Sequence, residues 1–347
     1  MPKPSVTRDA DAALDVLFHP FETGALAWPR AGGALFLRAR DGWPLHAAPR
    51  AGLVCEQTFK PAFDALQASG LDVRGEEVQG TFPLVLVLPP RQRDEARALF
   101  ARALDRAGEG GIVVACMPND EGAKAGQADL ARVAGPVSVL SKQHCRVFWT
   151  GAAHDGDVAL RDEWRALDAP RVVATMDLWS RPGIFAWDRI DAASALLAHH
   201  LPADLQGEGA DLGAGTGYLA REVLARGNGV RALDLYEAES RALDLARRNL
   251  DGRPDIGFHW HDVTRGLSKQ YDFIVTNPPF HAQGRADRPD IGKRFIAAAA
   301  EALRSRGRLF LVANRHLPYE SVLDTRFDIV RTLADASGFK VIEAVRS

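Results

Sequence analysis

An apolar run closed by two prolines occurs twice in this chain, and it constrains the fold more than any other feature. Leu84-Val85-Leu86-Val87-Leu88-Pro89-Pro90 is matched by Phe273-Ile274-Val275-Thr276-Asn277-Pro278-Pro279. Such short runs without polar alternation read as strands buried on both faces, and proline cannot continue the ladder. Each run is followed by a helix-forming stretch rich in alanine and arginine, and then by a second buried strand, at 111–115 and 308–313. Further on, Cys145-Arg146-Val147-Phe148-Trp149 matches Phe339-Lys340-Val341-Ile342-Glu343. The pattern is a duplication at the scale of a domain, and strand-helix alternation calls for a mostly parallel sheet with helices on both faces.

The chain has 347 residues, enough for two domains of roughly 100–200 residues each. Polar residues Gly151, His154, Asp155, Gly156 and Asp157, ending in Pro170, mark the boundary, so domains are expected at 1–165 and 170–347. In the second, helices are expected at 190–201, 219–226, 238–250 and 295–303. Strands are expected at 230–236, 258–263, 271–276 and 309–313, with 327–333 and 339–345 closing the chain as an antiparallel edge hairpin.

Composition excludes several function classes. A net charge of −2 gives no global basic field, so any nucleic-acid contact must come from a local patch. Cys55, Cys116 and Cys145 are scattered and form no CxxC pair, which argues against a disulfide framework or a zinc site. The start, Met1-Pro2-Lys3-Pro4, lacks an apolar targeting segment, and no run reaches the ~18 residues of a membrane span. A cytoplasmic monomer that needs neither metal nor membrane is expected.

Asp211-Leu212-Gly213-Ala214-Gly215-Thr216-Gly217 stands between a strand and a helix. Glycines there let the backbone turn sharply and approach a ligand, and the helix start offers free N–H groups. A structural turn and a dinucleotide site both compete, but the spacing GxGxG departs from the GxGxxG of dinucleotide binders. S-adenosylmethionine fits better. Asp211 suits the amino end of its methionine moiety, and Glu237, at the end of the next strand, suits the ribose hydroxyls, with Asp234 as competitor. Asp262 and Val263 end a further strand, where Asp262 could accept from the adenine amine or simply cap a helix or sit in a solvated turn.

Asn277-Pro278-Pro279-Phe280 is the most informative tetrapeptide. The exocyclic amine of a base is a poor nucleophile because its lone pair is delocalised into the ring. Two acceptors at its N–H groups, the Asn277 side-chain oxygen and the Pro278 carbonyl, would draw it toward tetrahedral geometry. Pro278 and Pro279 hold the backbone in place beforehand, and Phe280 offers a stacking face.

These motifs, together with Pro182-Gly183-Ile184-Phe185, His281 and Val312-Ala313-Asn314-Arg315-His316-Leu317-Pro318-Tyr319, resemble the bacterial ribosomal RNA guanine-N2 methyltransferases, and the small-subunit branch in particular. The resemblance is strong over about 175–347 and loose before that. It implies an α/β fold of two tandem Rossmann-like class I methyltransferase domains, the N-terminal one degenerate. It also implies S-adenosylmethionine as cofactor, held by Asp211, Gly213, Ala214, Gly215, Gly217, Glu237, Asp262, Val263 and Asn277, and ribosomal RNA or the small subunit as partner. The family often has Asp where this chain has Glu237. Degeneracy of the first half is legible directly: Leu88 stands at the position of Asn277, Arg91 at that of Phe280, and no GxGxG occurs in 1–80, where Gly32-Gly33 is more simply a turn. That half would recognise RNA or support the active domain.

Phe185, His281, Arg285, Lys293, Arg294, Asn314 and Arg315 are candidates for RNA contact, while Arg304 and Arg306 read better as a solvated face. Rival readings are a large-subunit guanine-N2 enzyme, a glutamine or adenine N6 methyltransferase, and a non-catalytic assembly protein. The glutamine and adenine N6 families usually carry Tyr at the position of Phe280.

Overall fold

The computed structural model describes residues 11–226, 229–253, 255–279 and 289–347. It divides into two compact units, Met1–Ala169 and Pro170–Ser347.

The first unit holds strands β1 (Ala34–Leu37), β2 (Leu53–Glu56), β3 (Asp72–Arg74), β4 (Leu84–Val87), β5 (Ile112–Pro118), β6 (Val137–Lys142) and β7 (Cys145–Thr150). They form one sheet in the order β3-β2-β1-β4-β5-β7-β6. The pairs are parallel except those made by β7, which runs antiparallel to β5 and β6. Helix Arg93–Ala107 covers one face on Leu35, Leu37, Val85 and Val87, and helix Ala12–Leu17 covers the other on Phe36, Leu86 and Val114.

The second unit opens with a two-stranded hairpin, β8 (Arg171–Val173) and β9 (Leu178–Ser180). Its sheet holds β10 (Gln206–Leu212), β11 (Gly229–Glu237), β12 (Ile256–Trp260), β13 (Tyr271–Thr276), β14 (Leu303–Asn314), β15 (Ile329–Ala336) and β16 (Phe339–Val345). The order β12-β11-β10-β13-β14-β16-β15 repeats that of the first unit strand for strand, again with an antiparallel hairpin at one edge. Register fixes equivalent positions. Leu37 pairs with Val87 and Leu212 with Thr276, so Leu88 takes the place of Asn277.

Alternation along each strand sends Ala210, Leu212, Ile274, Leu309 and Leu311 under helix Pro289–Ala302, and Leu233, Leu235, Phe273, Val275, Phe310 and Val312 under helices Ala192–His200, Tyr218–Arg226 and Ser240–Asn249. Each face thus buries a continuous apolar layer, the main driving term of the fold.

Several element bounds differ from the sequence reading. Helix 295–303 begins earlier, at Pro289, a residue suited to a first turn because its missing N–H needs no partner there. Strand 258–263 ends at Trp260, since Asp262 caps a short 3₁₀ turn, Val263–Arg265. Strand 327–333 is displaced to Ile329–Ala336, an edge strand that is mostly exposed and therefore lacks the apolar signal that marks its neighbours. Among the described residues no helix is long and apolar enough to cross a membrane.

Candidate active site

The site forms where the C-terminal ends of β10, β11 and β13 meet, at the strand order's reversal, the usual ligand crevice of an open parallel sheet. After β10 the chain turns through Gly213 (φ +74°), Gly215 (φ +56°) and Gly217 (φ +85°). These are left-handed conformations that side chains disfavour. The N–H groups of Gly213 and Ala214 donate to the Tyr236 carbonyl at 2.8 and 3.1 Å, which ties the loop to the end of β11. A Cβ on Gly215 would meet nothing within 4 Å, whereas one on Gly217 would press on Ala246 and Leu250. Gly215 therefore leaves room for a ligand, and Gly217 lets the loop pack on helix Ser240–Asn249.

A cavity joins Gly213, Ala214, Gly215 and Thr216 to Asn277, Asp191 and Ser194, with Phe185 at its rim. Phe185 is 74% exposed, unusual for a phenylalanine and suited to a stacking surface. Pro278 is buried and Pro279 exposed.

Two further acidic groups, Asp211 and Glu237, flank the glycine loop. Asp211 is 0% exposed. One carboxylate oxygen accepts from the Ala220 N–H at 3.1 Å, and the other finds no partner among the described residues. Burial, reinforced by the neighbouring Glu237 carboxylate, pushes its pKa up to about 8. Glu237 accepts from the backbone N–H of Gly215 and of Glu239, both at 2.8 Å. Burial raises its pKa too, against the pull of those N–H donors. Two shielded acids with raised pKa values form a cradle for a cationic ligand, which would relieve both. A carboxylate has about four acceptor sites, so Glu237 keeps capacity for hydroxyl donors.

Asp234 is committed elsewhere. His259 Nε2, Lys269 Nζ and the Tyr271 hydroxyl surround it at 2.9, 2.8 and 2.8 Å. Burial alone would raise its pKa, but these donors hold it below the usual carboxylate range. Asp262 caps its turn, with one oxygen accepting from the Thr264 N–H at 3.0 Å and the Thr264 hydroxyl at 2.7 Å, and the other lying 3.7 Å from Arg265. Val263 is buried.

Of the residues considered for RNA, Lys293 is partly buried and Arg294 exposed on helix Pro289–Ala302. Asn314 ends β14, and the exposed Arg315 pairs with Asp335. Arg304 is held by Glu208 and Asp272, at 2.9 and 2.8 Å. Phe280, His281 and Arg285 lie outside the described residues. Sequence reasoning missed Asp191 and Ser194. Asp191 caps helix Ala192–His200 by accepting from the Ser194 N–H at 2.9 Å, and an Asp-x-x-Ser spacing ahead of an apolar helix was the available signal.

Residues 175–343 match the family described as the methyltransferase small domain. Several similar curated proteins are named ribosomal RNA small subunit methyltransferase C. That of Pseudomonas paraeruginosa is 29% identical, with 88% of this chain and 89% of the relative covered. That of Psychromonas ingrahamii is 26% identical, with 76% of each covered. That of Alcanivorax borkumensis is 34% identical over 62% of this chain and 66% of the relative. Among solved structures, the 16S rRNA N2 guanine methyltransferase of T. thermophilus, in complex with AdoMet and guanosine, superposes with a TM-score of 0.82 at 25% identity, covering 99% of this chain and 94% of that one. The second unit thus carries the methyltransferase small domain, and over nearly its whole length the chain is similar to the ribosomal RNA small subunit methyltransferase C family of class I methyltransferases.

Proposed function

We propose that this protein transfers a methyl group from S-adenosylmethionine to the N2 amine of one guanine in 16S ribosomal RNA, the counterpart of the guanine at position 1207 named for the T. thermophilus protein. The observation that carries this reading is the Asn277 side-chain oxygen, which is buried beside the glycine loop and has no partner among the described residues. An unsatisfied buried acceptor costs about 1–3 kcal/mol. A ligand that brings an N–H group to it recovers that cost.

When bound, S-adenosylmethionine supplies an electrophilic methyl group on its sulfonium sulfur. The chain's part is to hold and aim. The free oxygen of Asp211 accepts from the cofactor's ammonium group, Gly213, Ala214 and Gly215 let the methionine end approach the backbone, and Glu237 accepts from the ribose hydroxyls. Asp262, whose second oxygen now lies 3.7 Å from Arg265, would accept from the adenine amine, with Val263 beside it. On the substrate side, Asn277 Oδ1 and the Pro278 carbonyl accept the two N2 hydrogens and turn the nitrogen lone pair toward the methyl group. Phe185 and Phe280 offer ring faces to the base, each worth roughly 1–3 kcal/mol in stacking. Transfer is then mainly a matter of alignment, and the surplus proton on the methylated nitrogen leaves to water. Lys293, Arg294, Asn314 and Arg315, with His281 and Arg285, contact the RNA around the flipped base. The N-terminal unit recognises RNA or braces the catalytic one. The small subunit in the cytoplasm is the substrate, met by a monomer.

Methyl transfer from labelled S-adenosylmethionine to unmodified 16S rRNA, free and in assembled 30S subunits, tests this reading, with the product mapped by mass spectrometry. A single N2-methylguanine that Asn277→Ala lowers on the order of 10²–10³-fold is expected. Absence of transfer to either substrate, or transfer to another atom, overturns it.

A further inference from the structure

We infer that Asp191 and Ser194 form a clamp that fixes the rotation of the Asn277 amide, so that its oxygen and not its nitrogen faces the substrate amine. This inference rests on the proposed methyl transfer and deepens it. An asparagine amide has a donor end and an acceptor end of nearly the same shape, and only its partners decide which way it lies. Asn277 Nδ2 donates to Asp191 Oδ2 at 2.9 Å and to Ser194 Oγ at 2.8 Å. An ionised carboxylate only accepts. Were the amide turned over, its oxygen would lie against the Asp191 oxygen, two acceptors in repulsion, and an NH₂ group would meet the substrate's own N–H groups. With both amide hydrogens committed, Oδ1 is the atom left over, and it is the buried oxygen without a partner among the described residues.

The N-terminal unit supplies an internal control. Its equivalent helix, Ala12–Leu17, is capped by Asp11 in the same way, the Asp11 carboxylate accepting from the Leu14 N–H. At the position of Ser194 stands Leu14, and at that of Asn277 stands Leu88, both buried in the same apolar cluster. The cap therefore works without a serine three residues on. Serine is present where the asparagine is present and absent where it is absent, which assigns it to the asparagine. Asp191 and Ser194 are positioning residues: they act on the reaction through Asn277.

The full-length protein carrying Asp191→Asn or Ser194→Ala tests the clamp, with Asn277→Ala and the Asp191→Asn/Asn277→Ala pair alongside. Asparagine caps a helix as well as aspartate, so the melting temperature of Asp191→Asn should stay near wild type. An asparagine at 191 can also donate, so the Asn277 amide loses its preferred rotation. With unmodified 30S subunits, kcat should fall about tenfold to a hundredfold in Asp191→Asn and by less in Ser194→Ala, with KM for S-adenosylmethionine and for RNA nearly unchanged. Asp191→Asn should cost nothing further once Asn277 is alanine. In the protein alone, the Asn277 side-chain amide resonances, identified by their loss in Asn277→Ala, should be protected from solvent exchange and become exchangeable in both variants. An unchanged kcat in Asp191→Asn, a rise confined to the KM for S-adenosylmethionine, or independent losses in the double variant would overturn the clamp. Wild type that methylates no RNA would overturn the proposed function instead, while amide exchange would still decide the clamp.

Discussion

The two units share a sheet order but differ at almost every position that surrounds the cavity, and the differences have one direction. Where the C-terminal unit has buried Asp211, the N-terminal has buried Phe36, by the register of β1 and β10 against β4 and β13. Arg38 stands at the position of Gly213 and keeps a left-handed φ of +55°, a conformation costing roughly 1–2 kcal/mol without glycine. Gln57 replaces Glu237 and holds the same type of backbone contact, accepting from the Phe59 N–H at 2.9 Å as Glu237 accepts from that of Glu239. Its amide group also donates to the Ala39 carbonyl at 2.7 Å, which closes it onto its own loop. Arg40 stands at the position of Gly215 and reaches Asp11 at 2.9 Å. Leu88, Pro89 and Pro90 are all buried. The backbone turn outlived its glycine, and the cradle for a cationic ligand became an apolar cluster with an internal cation.

The comparison predicts its largest effect for Gly215→Arg, which imports the Arg40 arrangement into the active unit. Space is open at Gly215, so the new side chain enters the cavity and its guanidinium reaches Asp191. S-adenosylmethionine affinity, measured by calorimetry, should drop by about a hundredfold or more, the loss of roughly 2.7 kcal/mol or greater, while the melting temperature falls only by the cost of a strained backbone. Undiminished binding would mean that Arg40 and Gly215 are equivalent in sequence alone.

A smaller effect separates Asp211 from Phe36. With its pKa near 8, Asp211 is largely protonated at neutral pH in the free protein and must ionise to hold an ammonium group. Affinity for S-adenosylmethionine should therefore rise with pH, by at most about tenfold per unit, and level off above about 8. Binding at pH 7 should release a proton, visible as a dependence of the calorimetric heat on the buffer. Stability of the unliganded protein runs the other way. Between the unfolded value of 3.8 and the folded value of about 8, the folded state binds more protons than the unfolded, so stability falls as pH rises. Asp211→Asn should flatten both profiles, and its melting temperature should gain on wild type as pH increases. Affinity that does not vary between pH 6 and 9 would remove Asp211 from the cofactor.

The difference between the units also shows what a single sequence can carry. The duplicated Pro-Pro runs, the glycine loop and the strand-helix alternation are local signals, and all three are where the sequence placed them. The edge strand Ile329–Ala336 was misplaced because exposure removes its period. Asp262 was ambiguous because a carboxylate at a strand end caps a turn and binds a ligand with the same atoms, and here the cap is made. Asp191 and Ser194 escaped because their partner, Asn277, lies more than eighty residues away. As a helix cap, Asp191 looks identical in a live site and a dead one. Only when Asp11, Leu14 and Leu88 are set beside Asp191, Ser194 and Asn277 does the polar cluster separate from the cap.

The smallest effect tests whether the N-terminal site was lost at one residue or at many. Arg40→Leu removes the cation that faces Asp11. Both side chains are about one-third exposed, and such a pair contributes about 0–1 kcal/mol, so the melting temperature should barely move. If Arg40 alone blocked the cavity, S-adenosylmethionine would now bind at two sites per chain. Phe36 still fills the position of the buried acid, Gln57 still lacks charge, and Leu14 and Leu88 still close the amine pocket. Each of these opposes a cationic, polar ligand independently of Arg40, so one site per chain should remain in the calorimetric titration. A second site, however weak, would show that the ion pair is a plug over a cradle that still exists, and would place the loss of function in the loop and not in the core beneath it.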